Sequence, residues 1–568
     1  MRLLLLLLAT IVSAPAWAQV ADPPSRERVG QALRKSVEFY RAKVSTQGGY
    51  HFSYTEDLSY GRSEQGEGPT QVEVQRQGTP LIGMAYLTAY EATGDPFYLD
   101  AARETAHALV KGQYCSGGWD YIIEFDPAKR KQYPYRADGA CEGPVAAPRR
   151  VSTLDDNVTQ AAARLLMRVD RALRFQDPKI HEAARFALDG LVKAQYPNGA
   201  WPQRYDSFPD PKQFPVKQAS YPESWQRTWP GSNYQGHYTF NDNSIVDAID
   251  LMLEATRIYD EPRYLAAAEK GGDFIILAQM PDPQPGWAQQ YDKDMHPAWA
   301  RRFEPPSITG GESQSAMQIL LVLYRETGKK KYLQPLSRAL DYYRRSSLPD
   351  TEKFSEHRAR ACPQGTTCLA RFYELTTNRP LYITKGTRAG VRGQPELTVD
   401  GYQLSYSDES VITHYGVLVN GNRLQAIAAE YQRVAKADPS SLRRQDRLGG
   451  LSPWSEGWAP VGAGEASPRR RRPSAADPAT RVAAILAGMD QRGAWVEDGN
   501  IGRADRLVSV FAAKDMVVTL GGQTLHMKEN DTLQVFQGPE EPKRRVIRSQ
   551  TFADNIGVLC AYLAGMKP

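Results

Sequence analysis

The chain has 568 residues, with 70 basic and 65 acidic side chains and a formal net charge of +5. So close a balance gives no indication of nucleic-acid binding, and we expect no nucleic-acid partner. The length suggests more than one domain of ordinary size, although a single helical repeat domain can be as large.

The N-terminus has the pattern of a secretory signal. Met1-Arg2 precedes six leucines, and Ala16-Trp17-Ala18 supplies small residues before Gln19. The apolar stretch is shorter than the roughly 20 residues that a membrane-spanning helix needs. We therefore expect a signal peptide at 1–18, no membrane span, and a secreted or periplasmic protein.

One order of residues recurs along the chain: an amphipathic helix, a Gly-aromatic turn, a long loop and a second helix. The turns contain Trp119, Trp201 and Trp287, with weaker copies at Tyr50 and Trp495. The second helices are predicted at 81–93, 157–173, 244–259, 313–327 and 552–563. Repeats of about 70 to 90 residues with two helices each indicate stacked helical hairpins whose long loops share one face.

Two stretches interrupt this pattern. Residues 206–237 form a long insertion rich in Pro, Tyr, Trp and Ser, and residues 437–481 have the composition of a flexible linker. We expect one main helical domain at 19–436. The segment 482–568, with strand-like runs at 507–511 and 516–520, is expected to close the same domain.

The five cysteines can form disulfides in an exported protein. Cys115 with Cys141, and Cys362 with Cys368, could each close a loop. Cys560 lies on an apolar helical face, which favours a buried free thiol.

Two loops carry acid–amide clusters directly before predicted helices: Thr153-Leu154-Asp155-Asp156-Asn157 and Thr239-Phe240-Asn241-Asp242-Asn243. One interpretation is that Asp and Asn cap the helices. Capping needs only one residue, however, and such oxygen-rich groups also suit Ca²⁺.

Basic residues are concentrated further along, at Arg301, Arg302, Arg371, Arg379 and Lys385. Each could be an ordinary solvated surface residue. Their concentration in polar, aromatic segments favours bidentate recognition of carboxylates. Together with candidate Ca²⁺ ligands, they indicate a polymer of uronic acids as the partner.

These segments resemble motifs of the family 10 polysaccharide lyases, the pectate or pectic acid lyases. The resemblance covers at least 154–385 in that family's order and is carried by Asp156-Asn157, Asn198 to Gln203, Thr239 to Asn243, Ala300 to Glu304 with Gly311-Glu312-Ser313, and Arg371 to Pro380. It implies an all-α fold, an α/α toroid with minor β structure. It also implies secretion, Ca²⁺ dependence and cleavage of polygalacturonate by β-elimination.

The resemblance also implies roles for individual residues. Arg301 corresponds to the catalytic arginine, and Asp156, Asp242 and Asn157 to the Ca²⁺ site. The predicted substrate-binding residues are Arg302, Arg371, Asn378, Arg379, Lys385, Trp201 and Arg204. The sequence departs from the family pattern at Ala200, at Arg302 and in the length of the 206–237 insertion.

An arginine base must lose its proton, and its reference pKa is about 12.5 or higher, so we expect an alkaline optimum. Two other functions fit the sequence. A glycoside hydrolase on a helical toroid could use Asp242 and Glu304 as acid and base. A non-catalytic uronate-binding protein could use the same aromatic and basic loops without turnover. We expect a monomer in each case.

Overall fold

Helical hairpins follow one another along the chain, each with one helix on the inner side and one on the outer side. The computed structural model describes residues 23–141, 151–231, 233–348, 367–387, 397–406, 418–421, 423–443, 477–501, 507–511, 515–520, 523–527, 532–536 and 544–565. The predicted signal peptide, most of the predicted linker 437–481 and Cys362 lie outside these residues. No described helix is long and apolar enough to cross a membrane.

The longer helices agree closely with the helical pattern of the sequence. They are α1 Arg26–Phe39, α2 Thr79–Thr93, α3 Pro96–Lys111, α4 Val158–Ala172, α5 Pro178–Ala194, α6 Ser244–Tyr259, α7 Pro262–Leu277, α8 Glu312–Thr327, α9 Gln334–Arg345, α10 Arg423–Lys436, α11 Pro478–Ala487 and α12 Ser549–Gly565. The predicted second helices correspond to α2, α4, α6, α8 and α12, each within a few residues.

Burial separates the two layers. Helices α4, α6 and α8 bury side chains on nearly every face, whereas α3, α5 and α7 bury one apolar side and expose the other. A helix that is buried all round belongs in the interior of a large domain. The inner helices contact one another in the order α2–α4–α6–α8, with α12 packed beside α2 and α10 beside α8. This two-layered stacking is the predicted α/α toroid architecture.

The Gly-Trp turns are packing corners. Gly117 and Gly199 have φ values of 100° and 97°, a conformation that glycine adopts without strain. The indole N–H groups of Trp119 and Trp201 donate to Leu109 and Leu191 carbonyls, both at 2.8 Å, inside the preceding outer helices. Trp201 is fully buried. The prediction that Trp201 binds substrate is therefore wrong, because its ring fills the gap between helices.

A repeated glutamine links each turn to the next hairpin. Gln195 Nε2 donates to the Gly199 carbonyl within its own turn and to the Ala267 carbonyl in α7, both at 2.9 Å. Gln113 makes the same pair of contacts in the preceding repeat. Because one buried amide satisfies carbonyls in two hairpins, it fixes how the repeats stack.

The strands are short and lie mainly in the long loops. They are β1 Ser53–Thr55, β2 Gly61–Arg62, β3 Gln71–Glu73, β4 Ile122–Glu124, β5 Ser152–Thr153, β6 Arg204–Tyr205, β7 Tyr238–Thr239, β8 Gln290–Tyr291, β9 Ile308–Thr309, β10 Cys368–Ala370, β11 Phe372–Tyr373, β12 Pro380–Thr387, β13 Leu397–Ser405, β14 Leu418–Asn420, β15 Val496–Gly499, β16 Leu507–Phe511, β17 Met516–Leu520, β18 Gln523–Met527, β19 Thr532–Phe536 and β20 Arg544–Arg548. All described pairings are antiparallel.

These strands gather the long loops at one end of the inner helices. Strands β5, β7 and β9 directly precede α4, α6 and α8, and they pair with β6, β8 and β11 from the following loops. A six-stranded sheet in the order β16-β19-β13-β12-β11-β9 extends from the last of these pairs. The N-terminal ends of the inner helices and the loop strands therefore form a common face.

Helix α12 packs beside the first hairpin. The rings of Tyr40 and Phe552 stack with centroids 3.7 Å apart, and Arg26 donates to the Leu563 carbonyl at 2.9 Å. Cys115 and Cys141 form a disulfide, as the sequence allowed. Cys560 is a buried free thiol, as predicted.

Candidate active site

The two acid–amide clusters have the same unusual backbone. Asp156 and Asn157 have φ values of 50° and 60°, and Asp242 and Asn243 have values of 49° and 61°. Asp and Asn tolerate this left-handed conformation better than other residues with a Cβ atom. Neither Asn157 nor Asn243 caps its helix through its side chain. The helix-capping interpretation is therefore wrong at these N-cap positions.

This backbone brings three carboxylates together. Asp155, Asp156 and Asp242 each contribute an oxygen atom, and these oxygens lie within 4.8 Å of one another. The hydroxyl of Tyr121 donates to Asp155 Oδ2 at 3.1 Å and to Asp156 Oδ2 at 3.3 Å. Gln75 Nε2 donates to Asp156 Oδ2 at 3.2 Å. The cluster is therefore held by neutral donors, one from the loop that carries Asp155 and Asp156 and one from the loop before α2.

Burial and mutual repulsion both disfavour negative charge in this cluster. Burial raises the pKa of Asp156 to about 7, and the carboxylates of Asp155 and Glu64 add to the shift. Burial also raises the pKa of Asp242 well above its ordinary value, with Asp155 and Asp156 adding to it. The guanidinium of Arg301 opposes both shifts. A divalent cation would relieve the repulsion directly.

The donor set fits Ca²⁺. Carboxylate oxygens are hard ligands, and Asp155 Oδ1 is buried with no hydrogen-bond partner among the described residues. Asp155 was not predicted as a ligand, although it stands in the same acidic cluster as Asp156. Asn157, which was predicted, donates its Nδ2 N–H to Asp247, and its Oδ1 is buried with no hydrogen-bond partner among the described residues. The three clustered carboxylates are thus the best-supported ligands.

Arg301 lies beside this cluster on the loop before β9. Its Nε donates to Glu304 Oε2 at 2.9 Å and its Nη2 to Glu304 Oε1 at 2.7 Å. The Glu304 side chain is 1% exposed, whereas that of Arg301 is 35% exposed. Gln289 Nε2 also donates to Glu304, at 2.7 Å. Glu304 therefore holds one edge of a guanidinium that remains accessible from the loop face.

Arg371, on the other side of the cluster, is buried. Its Nη2 donates to Glu312 Oε1 at 3.0 Å and to Asn241 Oδ1 at 3.3 Å. Asn241 in turn donates to Asp242 Oδ2 at 2.6 Å. The positive charge of Arg371 also opposes the raised pKa of Asp242. Arg371 is thereby connected to the carboxylate cluster through one amide.

The other predicted substrate-binding cations are less uniform in position. Arg204 Nη2 lies 3.8 Å from Asp155 Oδ2, so it borders the cluster. Arg302 is half-buried next to Arg301. The Arg379 guanidinium is exposed and stacks 3.5 Å from the centre of the Tyr406 ring. Lys385 lies in β12, and its side chain is outside the described part of the chain.

Asn378 is half-buried and makes hydrogen bonds within the protein. Its Oδ1 accepts hydrogen bonds from Tyr342 and Gln284, and its Nδ2 donates to Ser346 at 2.9 Å. An amide so fully engaged within the protein supports the hairpin around it. Its predicted role in substrate binding stays a prediction.

Sequence reasoning missed the donors from distant segments. Gln75 belongs to the first long loop, 81 residues before Asp156, whereas Tyr121 lies in the loop that itself leads to Asp156. Only the stacking of repeats brings Gln75 to Asp156, and no local motif marks either residue. Glu304 could have been found, because it follows Arg301 by three residues in one short loop.

Residues 128–393 match the model of the pectic acid lyase family. No match was found among curated protein sequences. A mutant family 10 polysaccharide lyase from Cellvibrio cellulosa, solved with trigalacturonic acid, is 20% identical, with a TM-score of 0.41 over 62% of this chain and 98% of that chain. A second structure of the Cellvibrio cellulosa lyase is 19% identical, with a TM-score of 0.39 over 61% and 95%. Cellobiose 2-epimerase from Spirochaeta thermophila is 15% identical, with a TM-score of 0.35 over 58% and 72%. The family match confirms the resemblance drawn from the motifs.

Proposed function

We propose that this chain, whose residues 128–393 match the pectic acid lyase family, is a polysaccharide lyase that cleaves polygalacturonate by Ca²⁺-assisted β-elimination. The observation that carries the proposal is the cluster of buried Asp155 with half-buried Asp156 and Asp242, with the guanidinium groups of Arg301 and Arg371 beside it. Carboxylates and arginines in one site suit a substrate that is itself a carboxylate and binds with a metal ion.

Asp155, Asp156 and Asp242 would hold the Ca²⁺ ion. When bound, the ion neutralises negative charge on the uronate carboxylate, which makes the neighbouring C5 proton more acidic. Tyr121 and Gln75 keep the Asp156 carboxylate in place through their hydrogen bonds to Oδ2. The protein therefore supplies a preorganised set of oxygens rather than one that must assemble on binding.

Arg301 is the proposed base. It takes the C5 proton, the C5–H electron pair forms the C4=C5 double bond, and the bond from C4 to the glycosidic oxygen breaks. The leaving oxygen then gains a proton, and no water is consumed. The exposed position of Arg301 supports this role, since the base must reach substrate. Its ion pair with Glu304 stabilises the charged form, so proton loss needs further positive charge nearby.

Arg371 and Arg204 are the cations best placed to bind the uronate carboxylate. Arg371 reaches the cluster through Asn241, and Arg204 lies next to Asp155. Because guanidinium groups bind carboxylates with two parallel hydrogen bonds, they can fix the ring as well as its charge. The exposed Arg379 is proposed to bind a more distant sugar of the chain.

The test is a product assay on three uronate polymers: polygalacturonate, alginate and glucuronan. A lyase produces a conjugated unsaturated uronide whose ultraviolet absorbance grows with time, whereas a hydrolase releases reducing ends without it. We expect absorbance to increase on polygalacturonate and to stop after chelation. Reducing ends without absorbance would indicate a hydrolase, and tight binding without either product would indicate a binding protein.

A further inference from the structure

We infer that the 206–237 insertion positions the Arg301 loop through a pair of tryptophans that hold each other's segments. The indole N–H of Trp229, in the insertion, donates to the Ala300 carbonyl at 2.7 Å. The indole N–H of Trp299, in the loop, donates to the Gln226 carbonyl at 2.8 Å. We call this reciprocal pair the tryptophan clamp. One bond is made at the Ala300 carbonyl and the other by the Trp299 side chain, so the clamp holds the two residues that precede Arg301.

Other hydrogen bonds of the loop lie at Arg301 itself and at Glu304. The backbone N–H of Arg301 donates to Glu304 Oε2 at 2.8 Å, and that of Glu304 donates to the Arg301 carbonyl at 2.8 Å. These bonds set the shape of the loop, while the side-chain amides of Gln289 and Gln290 hold Glu304 and the Ala298 carbonyl. Trp229 adds an external anchor directly at Ala300. A base must be aligned with the proton that it removes. Loss of the anchor should therefore lower the catalytic rate more than it weakens substrate binding.

The insertion is itself fixed at several points. The backbone N–H groups of Ala219 and Ser220 donate to the carbonyls of Leu277 and Met295, at 2.8 and 3.2 Å. The Tyr221 hydroxyl donates to the Pro281 carbonyl at 3.2 Å. These bonds fix the insertion to the end of α7. The insertion can therefore hold the Arg301 loop at a fixed position relative to the helices.

The segment containing the clamp also reaches the hairpin that carries Arg371. Arg227 pairs with the Glu374 carboxylate and donates to the Tyr406 hydroxyl at 3.0 Å. Glu374 follows β11, and Arg371 directly precedes it. Residues 226–229 therefore join the Arg301 loop to the Arg371 hairpin. Trp229 is accordingly a positioning residue, which acts through Arg301 and does not itself touch the reacting atoms.

This inference rests on the proposed function for its kinetic consequence, and it has a structural consequence that does not. Trp229→Phe keeps an aromatic ring and removes the N–H donor. We expect kcat on polygalacturonate to fall about tenfold, with KM and Ca²⁺ affinity within about twofold of wild type, the pattern of a lost transition-state alignment. Hydrogen exchange of peptides covering 299–304 should become several-fold faster.

Trp225→Phe is the matched control. Trp225 lies in the same insertion, its ring centre is 4.7 Å from the Arg227 guanidinium, and it packs on the hydrophobic cluster around Phe372 and Leu381. We expect this variant to keep wild-type kcat and loop exchange. Trp299→Phe should repeat the kcat loss. The double variant Trp229→Phe/Trp299→Phe should lose less than the product of the single losses, since both bonds hold one loop.

Unchanged kcat and unchanged loop exchange in Trp229→Phe would overturn the inference, as would single losses that simply multiply in the double variant. If Trp229→Phe fails to fold, Trp299→Phe supplies the same comparison from the loop side. A wild-type protein without lyase activity, but with loop exchange that depends on Trp229, would contradict the proposed function and support the clamp.

Discussion

Arg301 carries its charge against the buried Glu304 carboxylate, next to a set of three carboxylates. In that environment the charged guanidinium is stabilised. We propose that filling the site with Ca²⁺ makes deprotonation of Arg301 easier, because the ion would neutralise the carboxylate cluster while the Glu304 ion pair remains.

Substitution by lysine distinguishes the role of Arg301 from the roles of Arg302 and Arg371. Arg301→Lys keeps a positive charge but loses the planar group that Glu304 holds at two positions. We expect kcat to fall by several orders of magnitude with substrate binding largely kept, as measured by initial rates and calorimetry. Arg302→Lys should mainly change binding or stability. A near-complete loss in Arg302→Lys or Arg371→Lys, with Arg301→Lys active, would assign the base to that residue instead.

Asp155 provides a test of the metal site that does not depend on turnover. Asp155→Asn keeps the shape of the side chain and removes one negative charge, so Ca²⁺ affinity should fall about tenfold, equivalent to about 1.4 kcal/mol. Isothermal titration of metal-free protein measures this. Asp341→Asn, an exposed acid paired only locally with Arg344, is the control and should bind Ca²⁺ normally. Equal affinities in the two variants would exclude Asp155 as a ligand.

At the scale of whole elements, the Gly-aromatic turn links one hairpin to the next. Gly199 has a φ of 97°, and a Cβ atom there would lie 2.0 Å from the Lys270 carbonyl oxygen in α7. Gly231 also has a positive φ, of 70°, but a Cβ atom would meet no described atom within 4 Å. The two positions share the backbone preference and differ in steric contact.

Gly199→Ala should therefore lower the thermal transition by several degrees, equivalent to about 3 kcal/mol, while Gly231→Ala should cost about 1 kcal/mol. Calorimetry of both variants gives the comparison. Equal shifts would show that backbone conformation alone makes the turn require glycine, and that its contact with α7 contributes nothing.

The helical elements were predictable because their pattern is local. Helix α6 runs from Ser244 to Tyr259, the same bounds that the periodicity predicts. The acid–amide motifs at Asp156 and Asp242 also stood out, since both precede apolar helices. The interpretation of Trp201 was wrong because the same Gly-Trp turn can present its ring outwards or inwards, and only packing between hairpins decides.

The contributions from distant segments could not be predicted. Gln75 reaches Asp156 from 81 residues away in the chain, and Trp229 reaches Ala300 from 71 residues away. No catalytic or metal-binding motif requires either residue at such a distance along the chain. The length of the 206–237 insertion suggested function, but its contact with the Arg301 loop depends on how it folds over the end of α7.

For the whole molecule, the metal-free carboxylate cluster predicts a pH-dependent stability. The folded-state pKa of Asp156 is about 7, raised from 3.8 by burial and neighbouring acids. The folded protein therefore binds more protons than the unfolded chain between these values, so this contribution to stability is present at low pH and is lost as pH rises through about 7. Metal-free protein should melt at a lower temperature at pH 8 than at pH 6.

Calcium should reverse that loss, because cation binding favours the ionised carboxylates and stabilises only the folded state. Asp156→Asn, which cannot titrate at this position, should show a smaller difference in thermal transition between the two pH values. A metal-free protein that is more stable at pH 8, or a difference unaffected by Asp156→Asn, would contradict the electrostatic account of the cluster.

The central claim is that one carboxylate site, filled by Ca²⁺, enables β-elimination of a uronate polymer. Initial rates of ultraviolet absorbance on polygalacturonate, measured for metal-free and Ca²⁺-replete wild type and for Asp156→Ala, test it most directly. We predict no product from metal-free protein, full recovery on adding Ca²⁺, and a folded Asp156→Ala variant that recovers little. Product formation that survives exhaustive chelation, or a fully active Asp156→Ala variant, would contradict the claim.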